Sequence, residues 1–449
     1  MSNTTAIKAE GRTLLALGLP LIGSQVASFA VHSTDALMLG WYSVEALAQS
    51  ALGGQIYFVC FILGSGFAWA LLPMVAKAAE DRDVQTVRRV TRMGLWTSTF
   101  AGLAMMIPMW WSESLLLALG QKAENAAGAQ VYLRIAGWGL IPFLWSQVLR
   151  SYLSALERTG IVFWVSIAVL VLNAAVNYLL IFGSFGFPEL GIRGAAIASL
   201  GVAIGSFIGF AIYVQIKFPE HEMFVRFWRA DWEAMKKLFA LAIPISATGL
   251  AESGLFAAAT FLLGMLGTAQ VAAGNIVIQP AALAFMFHLG LSQASTVRAG
   301  QALSHNDREE LRRIAMAGFV VSMAFGLLVV ASFVLFRTQI VSAFLNFDDP
   351  MALDVLAIGV GLMIVAAAFQ LVDAAQVLAL GVLRGLQDTR VPMIMAVISY
   401  WIIGVPIAVG LGLYSPLGPY GVWIGLVSGL TTAAILLWLR YVRMEKTLG

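Results

Sequence analysis

The stretch IAVLVLNAAVNYLLIFG, residues 167 to 183, carries no charge and interrupts its apolar run only at Asn173, Asn177 and Tyr178. A hydrocarbon layer about 30 Å thick takes about 20 such residues as helix, whereas a membrane strand alternates polar and apolar over about ten. This run does not alternate, so it reads as a buried helix. The rest of the 449 residues repeats the pattern: 60% are hydrophobic and 11% charged, against about 45–50% and about 25% in soluble domains. So few charges cannot cover a globular protein in water, but they suffice for the loops of an all-α polytopic membrane protein.

Twelve such stretches follow one another, at roughly 14 to 41, 52 to 76, 93 to 112, 130 to 153, 161 to 184, 194 to 216, 238 to 264, 271 to 297, 314 to 336, 353 to 383, 391 to 413 and 421 to 439. Cytoplasmic loops retain Lys and Arg. With the N-terminus inside, only Lys122, Arg134, Arg193 and Arg337 of the 27 Lys and Arg fall outside, leaving 23 on the cytoplasmic side. A span missed or invented in mid-chain would destroy that asymmetry. The expected setting is therefore the inner membrane, with both termini cytoplasmic and the first span retained rather than cleaved as a signal peptide. The net charge of +3 gives no basis for nucleic acid as a partner. A single cysteine, Cys60, excludes an intrachain disulfide and a thiolate zinc cluster.

The chain is internally duplicated. An offset of 224 aligns Pro20 with Pro244, Gly66 with Gly290, Asp83 with Asp307 and Arg88-Arg89 with Arg312-Arg313, and an offset of 227 aligns Leu190-Gly191 with Leu417-Gly418. Six spans per repeat make the repeats parallel, a layout that places a cavity between two halves of a transporter. The expected division is a lobe over 1–216, an amphipathic connector over 217–237 at the cytoplasmic interface, and a second lobe over 238–449.

Of 24 acidic residues, Asp35, Glu252 and Asp373 sit well inside spans, where an ionised group costs roughly 2.5–3.5 kcal/mol. A carboxylate that trades a proton for another cation is the chemistry of an antiporter, and these three are the candidate coupling residues. Around them lie polar stripes that must face protein or water: Gln25, Ser28 and His32 with Asp35 in the first span, Asn173 and Asn177 in the fifth, Asn275 and Gln279 in the eighth, and Gln370 and Gln376 beside Asp373 in the tenth. The amides suit ligand contacts and interhelical bonds equally. Depth along the helices lets Glu252 and Asp373 share one cation, an Na⁺ site in the second half. Pro20, Pro142, Pro244, Pro280 and Pro406 interrupt helical hydrogen bonds, either as static kinks or as bending points. There is no HExxH, GxSxG or GxxxxGK[ST], so neither an enzyme nor an ATP-driven pump is indicated, and no cofactor beyond a coupling ion, Na⁺ or H⁺, is expected.

The segments QVLALGVLRGLQDTRVPMI (376 to 394), FMFHLGLSQASTVRAGQAL (285 to 303), VLNAAVNYLLIFG and Asp35 followed by LMLG resemble the multidrug and toxic compound extrusion (MATE) transporters over nearly the whole chain. The resemblance implies two six-helix lobes in a V and export of cationic amphiphilic compounds against inward Na⁺ or H⁺. It likens Asp35, with Asn173 and Asn177, to the family's N-lobe acid, and Glu252 with Asp373 to the C-lobe acids of the NorM-like branch. Phe369 stands where some members of that branch have a tyrosine. Small organic cations and the bilayer are the expected partners, and one chain holds a whole transport path, so a monomer suffices. A flippase or exporter of lipid-linked saccharides from the same superfamily is the alternative. Tags at the 41 to 51 and 77 to 92 loops are expected to report opposite faces of the membrane; the same face from both would overturn twelve spans.

Overall fold

The structure is a computed structural model that describes residues 3–448, residues 3 and 4 by their backbone alone. It contains α1 (Asn3–Tyr42), α2 (Val44–Glu80), α3 (Val84–Trp110), α4 (Ser112–Ala118), α5 (Ala123–Ala155), α6 (Thr159–Phe182) and α7 (Ile192–Lys217). After a turn-rich connector follow α8 (Trp232–Leu266), α9 (Thr268–His305), α10 (Arg308–Leu335), α11 (Arg337–Ser342), α12 (Ala352–Gly385), α13 (Arg390–Val397), α14 (Val405–Leu413) and α15 (Pro419–Glu445). Among the described residues ten helices, counting Arg390–Leu413 as one, are long and apolar enough to cross a membrane. α3, bent by 57° into α4, and the 33-residue α5 bring the long helices to twelve, matching the expected spans. Most helices overrun the apolar runs at one or both ends. Hydropathy measures the hydrocarbon thickness, while backbone hydrogen bonding carries the helix on into the polar zone.

The duplication is visible in the backbone as well as in the sequence. Left-handed residues recur as pairs: Arg82 (φ 56) with Asn306 (φ 52), Glu157 (φ 60) with Gln387 (φ 59), and Gly191 (φ 52) with Gly418 (φ 51). Asp83 and Asp307, aligned in the sequence, are both N-caps: the carboxylates accept from Thr86 N and Glu310 N at 2.9 Å, satisfying donors that a helix start leaves free.

Two compact units result, Gly23–Ser246 and Met1–Ile22 with Ala247–Gly449. They differ from the expected lobes at their ends. The division falls after Ile22 in α1 and after Ser246 in α8, positions that the 224 offset aligns. In the first unit, α5 packs against α2, α3 and α7; in the second its counterpart α12 packs against α9, α10 and α15. The start of α8 docks on α2, where Ser246 Oγ donates to Leu63 O at 2.9 Å and Phe239 meets Phe67 edge-on at 4.9 Å. The start of α1 docks on α9, where Arg298 Nε donates to Glu10 Oε1 at 2.8 Å. Both crossings are at glycine. A Cβ on Gly66 would lie 2.1 Å from Ser246 Oγ and 2.7 Å from Ala242 O, and one on Gly290 would lie 2.6 Å from Ile22 N.

The connector is a strap of turns, with one 3₁₀ turn at Pro219–His221, rather than a regular amphipathic segment, and residues 232–237 are already the first turns of α8. It is fixed to α3: Arg88 pairs with Glu222, Arg89 with Asp231, Arg92 Nε donates to Met223 O at 2.9 Å, and Trp96 Nε1 donates to Phe227 O at 3.0 Å. The Arg89 guanidinium holds the Asp231 carboxyl below the usual carboxylate range. Trp228 and Trp232, exposed beside this strap, are suited to a headgroup layer.

His221 is buried under the strap, hydrogen-bonded through Nδ1 to the Tyr152 hydroxyl and stacked on Phe218, with Glu220 the nearby carboxylate. Burial pushes its imidazole below the ordinary value of 6.5, against a weaker opposing pull from Glu220. The neutral ring therefore stabilises the docked strap above pH 6.5, and that contribution is lost as pH falls through the lowered value. Hydrogen exchange of residues 218–231, corrected for intrinsic rates, should be faster at pH 5 than at pH 7.5, and His221→Phe should flatten the difference. Equal protection at both pH values would contradict this linkage.

Candidate functional site

In the unit Gly23–Ser246 the helical spacing of α6 puts Asn173 and Asn177 one turn apart, both fully buried. Both Nδ2 groups donate to the same atom, Oδ1 of Asp35 on α1, the Asn173 bond at 3.0 Å, and Asn177 also donates to Asn173 Oδ1 at 3.2 Å. Asp35 is half-buried. Its charge is thus held by two amide dipoles, and no basic side chain pairs with it among the described residues except His32, exposed one turn away and within electrostatic reach.

The rest of the expected stripe on α1 belongs elsewhere. Gln25 accepts from Arg150 Nη2 at 2.7 Å, and Ser28 donates to Ser24 O at 2.9 Å. The 3-4-3 spacing does share a helix face. Ten residues, however, span about 15 Å, so the two ends of the stripe have different neighbours.

In the other unit, Asp373 on α12 is 1% exposed and Glu252 on α8 is half-buried, and the two carboxyls are close enough to interact electrostatically. Gln370 and Gln376 flank Asp373 on the same face of α12. Gln370 Nε2 donates to Ala281 O at 3.3 Å, and Gln376 Nε2 donates to Tyr400 Oη at 2.6 Å. The amides spend their N–H groups on protein. Three buried oxygens, Gln370 Oε1, Asp373 Oδ2 and Gln376 Oε1, have no hydrogen-bond partner among the described residues. Unpartnered oxygens on one helix face, beside a second carboxylate, suit a small hard cation or a proton. Among the described residues no group of three or more His, Cys, Asp and Glu assembles, so this is not the donor set of a transition-metal site. Asn275 and Gln279 lie exposed on α9.

Two residues of this site were not among the sequence candidates. Tyr400 is fully buried within electrostatic reach of Glu252, Asp373 and Arg384. It stands in a π-helical segment, Ile398–Gly404, between α13 and α14; such widened turns recur at functional sites. The signal available was a tyrosine in mid-span, uncharged and therefore passed over. Arg384, assigned to a loop by its position at the end of a span, is in the last turn of α12 and within electrostatic reach of Glu252. Phe369 is 4% exposed, packed between Phe256 and Trp423 at ring distances of 5.9 and 6.1 Å. That position is hydrophobic packing, and the phenol near the acids comes from Tyr400.

A double-mutant cycle tests the first cluster. Asn177→Ala should cost about 1–3 kcal/mol in detergent unfolding while Asp35 is present, because the Asp35 carboxylate loses one of its two amide donors. In an Asp35→Ala background the cost should shrink by about 0.5–3 kcal/mol; strict additivity would mean that the two do not interact.

The family model described as MatE matches twice, over residues 20–179 and 244–409, starting 224 residues apart as the duplication requires. The chain is 45% identical to "Probable multidrug resistance protein NorM" of Rhizobium meliloti (strain 1021), covering 96% of this chain and 93% of that one. It is 43% identical to the protein of the same name from Agrobacterium fabrum (strain C58 / ATCC 33970), covering 97% and 94%. Among solved structures, an outward-facing multidrug resistance MATE family transporter of the MOP superfamily matches with a TM-score of 0.88 at 20% identity, covering 99% of this chain and 98% of that one. Spans, duplication and fold converge, and the chain belongs to the MATE family, in its NorM-like branch.

Proposed function

We propose that this multi-pass membrane protein is a secondary multidrug antiporter that exports cationic amphiphilic compounds in exchange for inward Na⁺ or H⁺. The observation that carries the proposal is the unpartnered oxygen of Asp373 beside Glu252, at a helix face whose neighbouring amide oxygens also lack donors. Carboxylates left in this state in low dielectric favour an incoming positive charge, whether proton, metal ion or organic cation. Ion and drug then compete for overlapping negative charge. If the two bind the outward-open and inward-open forms unequally, reciprocal linkage lets inward ion flow drive outward drug flow. The names of the relatives at 45% and 43% identity support multidrug compounds as the cargo. On this proposal the protein lies in the inner membrane with both termini in the cytoplasm and works as a monomer.

The test is efflux of a fluorescent organic cation from proteoliposomes under an imposed Na⁺ gradient and, separately, an imposed pH gradient. The wild type should respond to one of them, which names the ion. Asp373→Asn should lose about tenfold or more of that rate, the effect of about 1.4 kcal/mol of lost ion binding. Full gradient-driven efflux in both Asp373→Asn and Glu252→Gln would remove the C-terminal acids from coupling and leave Asp35 to carry it. Absence of cation efflux from the wild type would overturn the antiporter.

A further inference from the structure

Arg150 lies on α5 one and a half turns before its end, 7% exposed. Its Nη2 donates to Ser24 Oγ at 2.6 Å and to Gln25 Oε1 at 2.7 Å, both on α1. Its other three N–H groups have no partner among the described residues, and no carboxylate faces the guanidinium. A guanidinium does not shed its proton, so the charge stays. A buried charge without a counter-charge is among the more destabilising arrangements a fold can carry.

The same side chain lines a cavity of about 40 Å³ with Ser28, Ser146, Gln147, Ser166 and Ser206. Every wall residue belongs to the unit Gly23–Ser246. The Ser28, Ser146, Ser166 and Ser206 hydroxyls donate to carbonyls of their own helices at 2.6–2.9 Å. Those carbonyls already serve the helix, so a hydroxyl can turn into the cavity at little cost. At about 10–15 Å³ of such space per water the cavity admits a few species of water size, and it is far below the roughly 300–1,000 Å³ of a drug site.

We propose that Arg150 and this cavity form a binding site for one small monovalent anion, of which chloride has the size and charge. Arg150 supplies the positive charge and up to three free N–H groups, and the serines and Gln147 supply neutral donors that complete a shell. The occupant bridges α5 to α1 just beyond the point where the compact units divide, and removes the uncompensated charge. This site is independent of the acids assigned to cation coupling and does not rest on the transport reading.

The test uses the purified full-length protein in detergent, at constant Na⁺ concentration and ionic strength, with gluconate exchanged stepwise for chloride or bromide. A ligand bound only by the folded state raises Tm with its concentration. The wild type should show a rise in Tm with chloride and bromide but not with sulfate, and Arg150→Gln should show none. The same rise in Arg150→Gln, or no rise in the wild type, overturns the site and leaves Arg150 a clamp between two helices. Should Arg150→Gln fail to fold, anomalous diffraction from wild-type crystals grown in bromide decides the matter. A peak within hydrogen-bonding distance of the Arg150 guanidinium supports the proposal, and bromide found elsewhere only overturns it.

Discussion

An ionised group in hydrocarbon must be met by a partner, and that constraint organises this molecule. Basic side chains are confined largely to the ends of the helices, where Arg88, Arg89 and Arg92 hold the strap and Arg298 holds the start of α1. Inside, three solutions are seen. Asp35 is met by two fully buried amides on one helix, a complete local answer. Asp373 is met incompletely, with one oxygen and the two neighbouring amide oxygens left without donors. Arg150 is the inverse case, a cation whose partners are all neutral. The unequal treatment of these charges is more informative than their presence, since evenly satisfied charges would serve packing alone.

The two repeats keep a common backbone and diverge in chemistry. Turn and cap residues persist because geometry demands them: a left-handed residue followed by an aspartate cap opens both α3 and α10. The polar interior is not under that demand. At the 227 offset Tyr400 stands opposite Asn173, so the corresponding span gives an amide to Asp35 in one unit and a phenol near Glu252 and Asp373 in the other. An ancestral scaffold thus carries two dissimilar polar centres.

Span number and repeat offset were legible in the sequence because both are one-dimensional quantities: an apolar run long enough for the bilayer, and a constant shift between matched residues. The acids were legible because an intramembrane charge is rare. Tyr400 and Arg150 were not, for opposite reasons. A tyrosine carries no charge to attract notice, and Arg150, near the cytoplasmic end of the 130 to 153 run, was counted with the cytoplasmic Lys and Arg, whereas it is buried within α5, which continues five residues further. His32 shared the helical register of Asp35, but register fixes a face and not a neighbour, and the structure leaves it exposed. Gln25 and Ser28 were separated from Asp35 for the same reason, by distance along the axis.

The placement of the two divisions, after Ile22 and after Ser246, bears on how such a protein came about and how it can be cut. Each repeat begins with helix that packs in the other repeat's compact unit, anchored at Gly290 in one case and at Gly66 in the other. The unit of gene duplication and the unit of packing are therefore offset by the first half of one helix. A half-chain ending near residue 216 would lack the α8 start that covers Gly66, and would carry an α1 start with nothing of its own to cover. A single repeat with this geometry would be complete only as a pair exchanging those segments, an exchange that the one chain makes within itself.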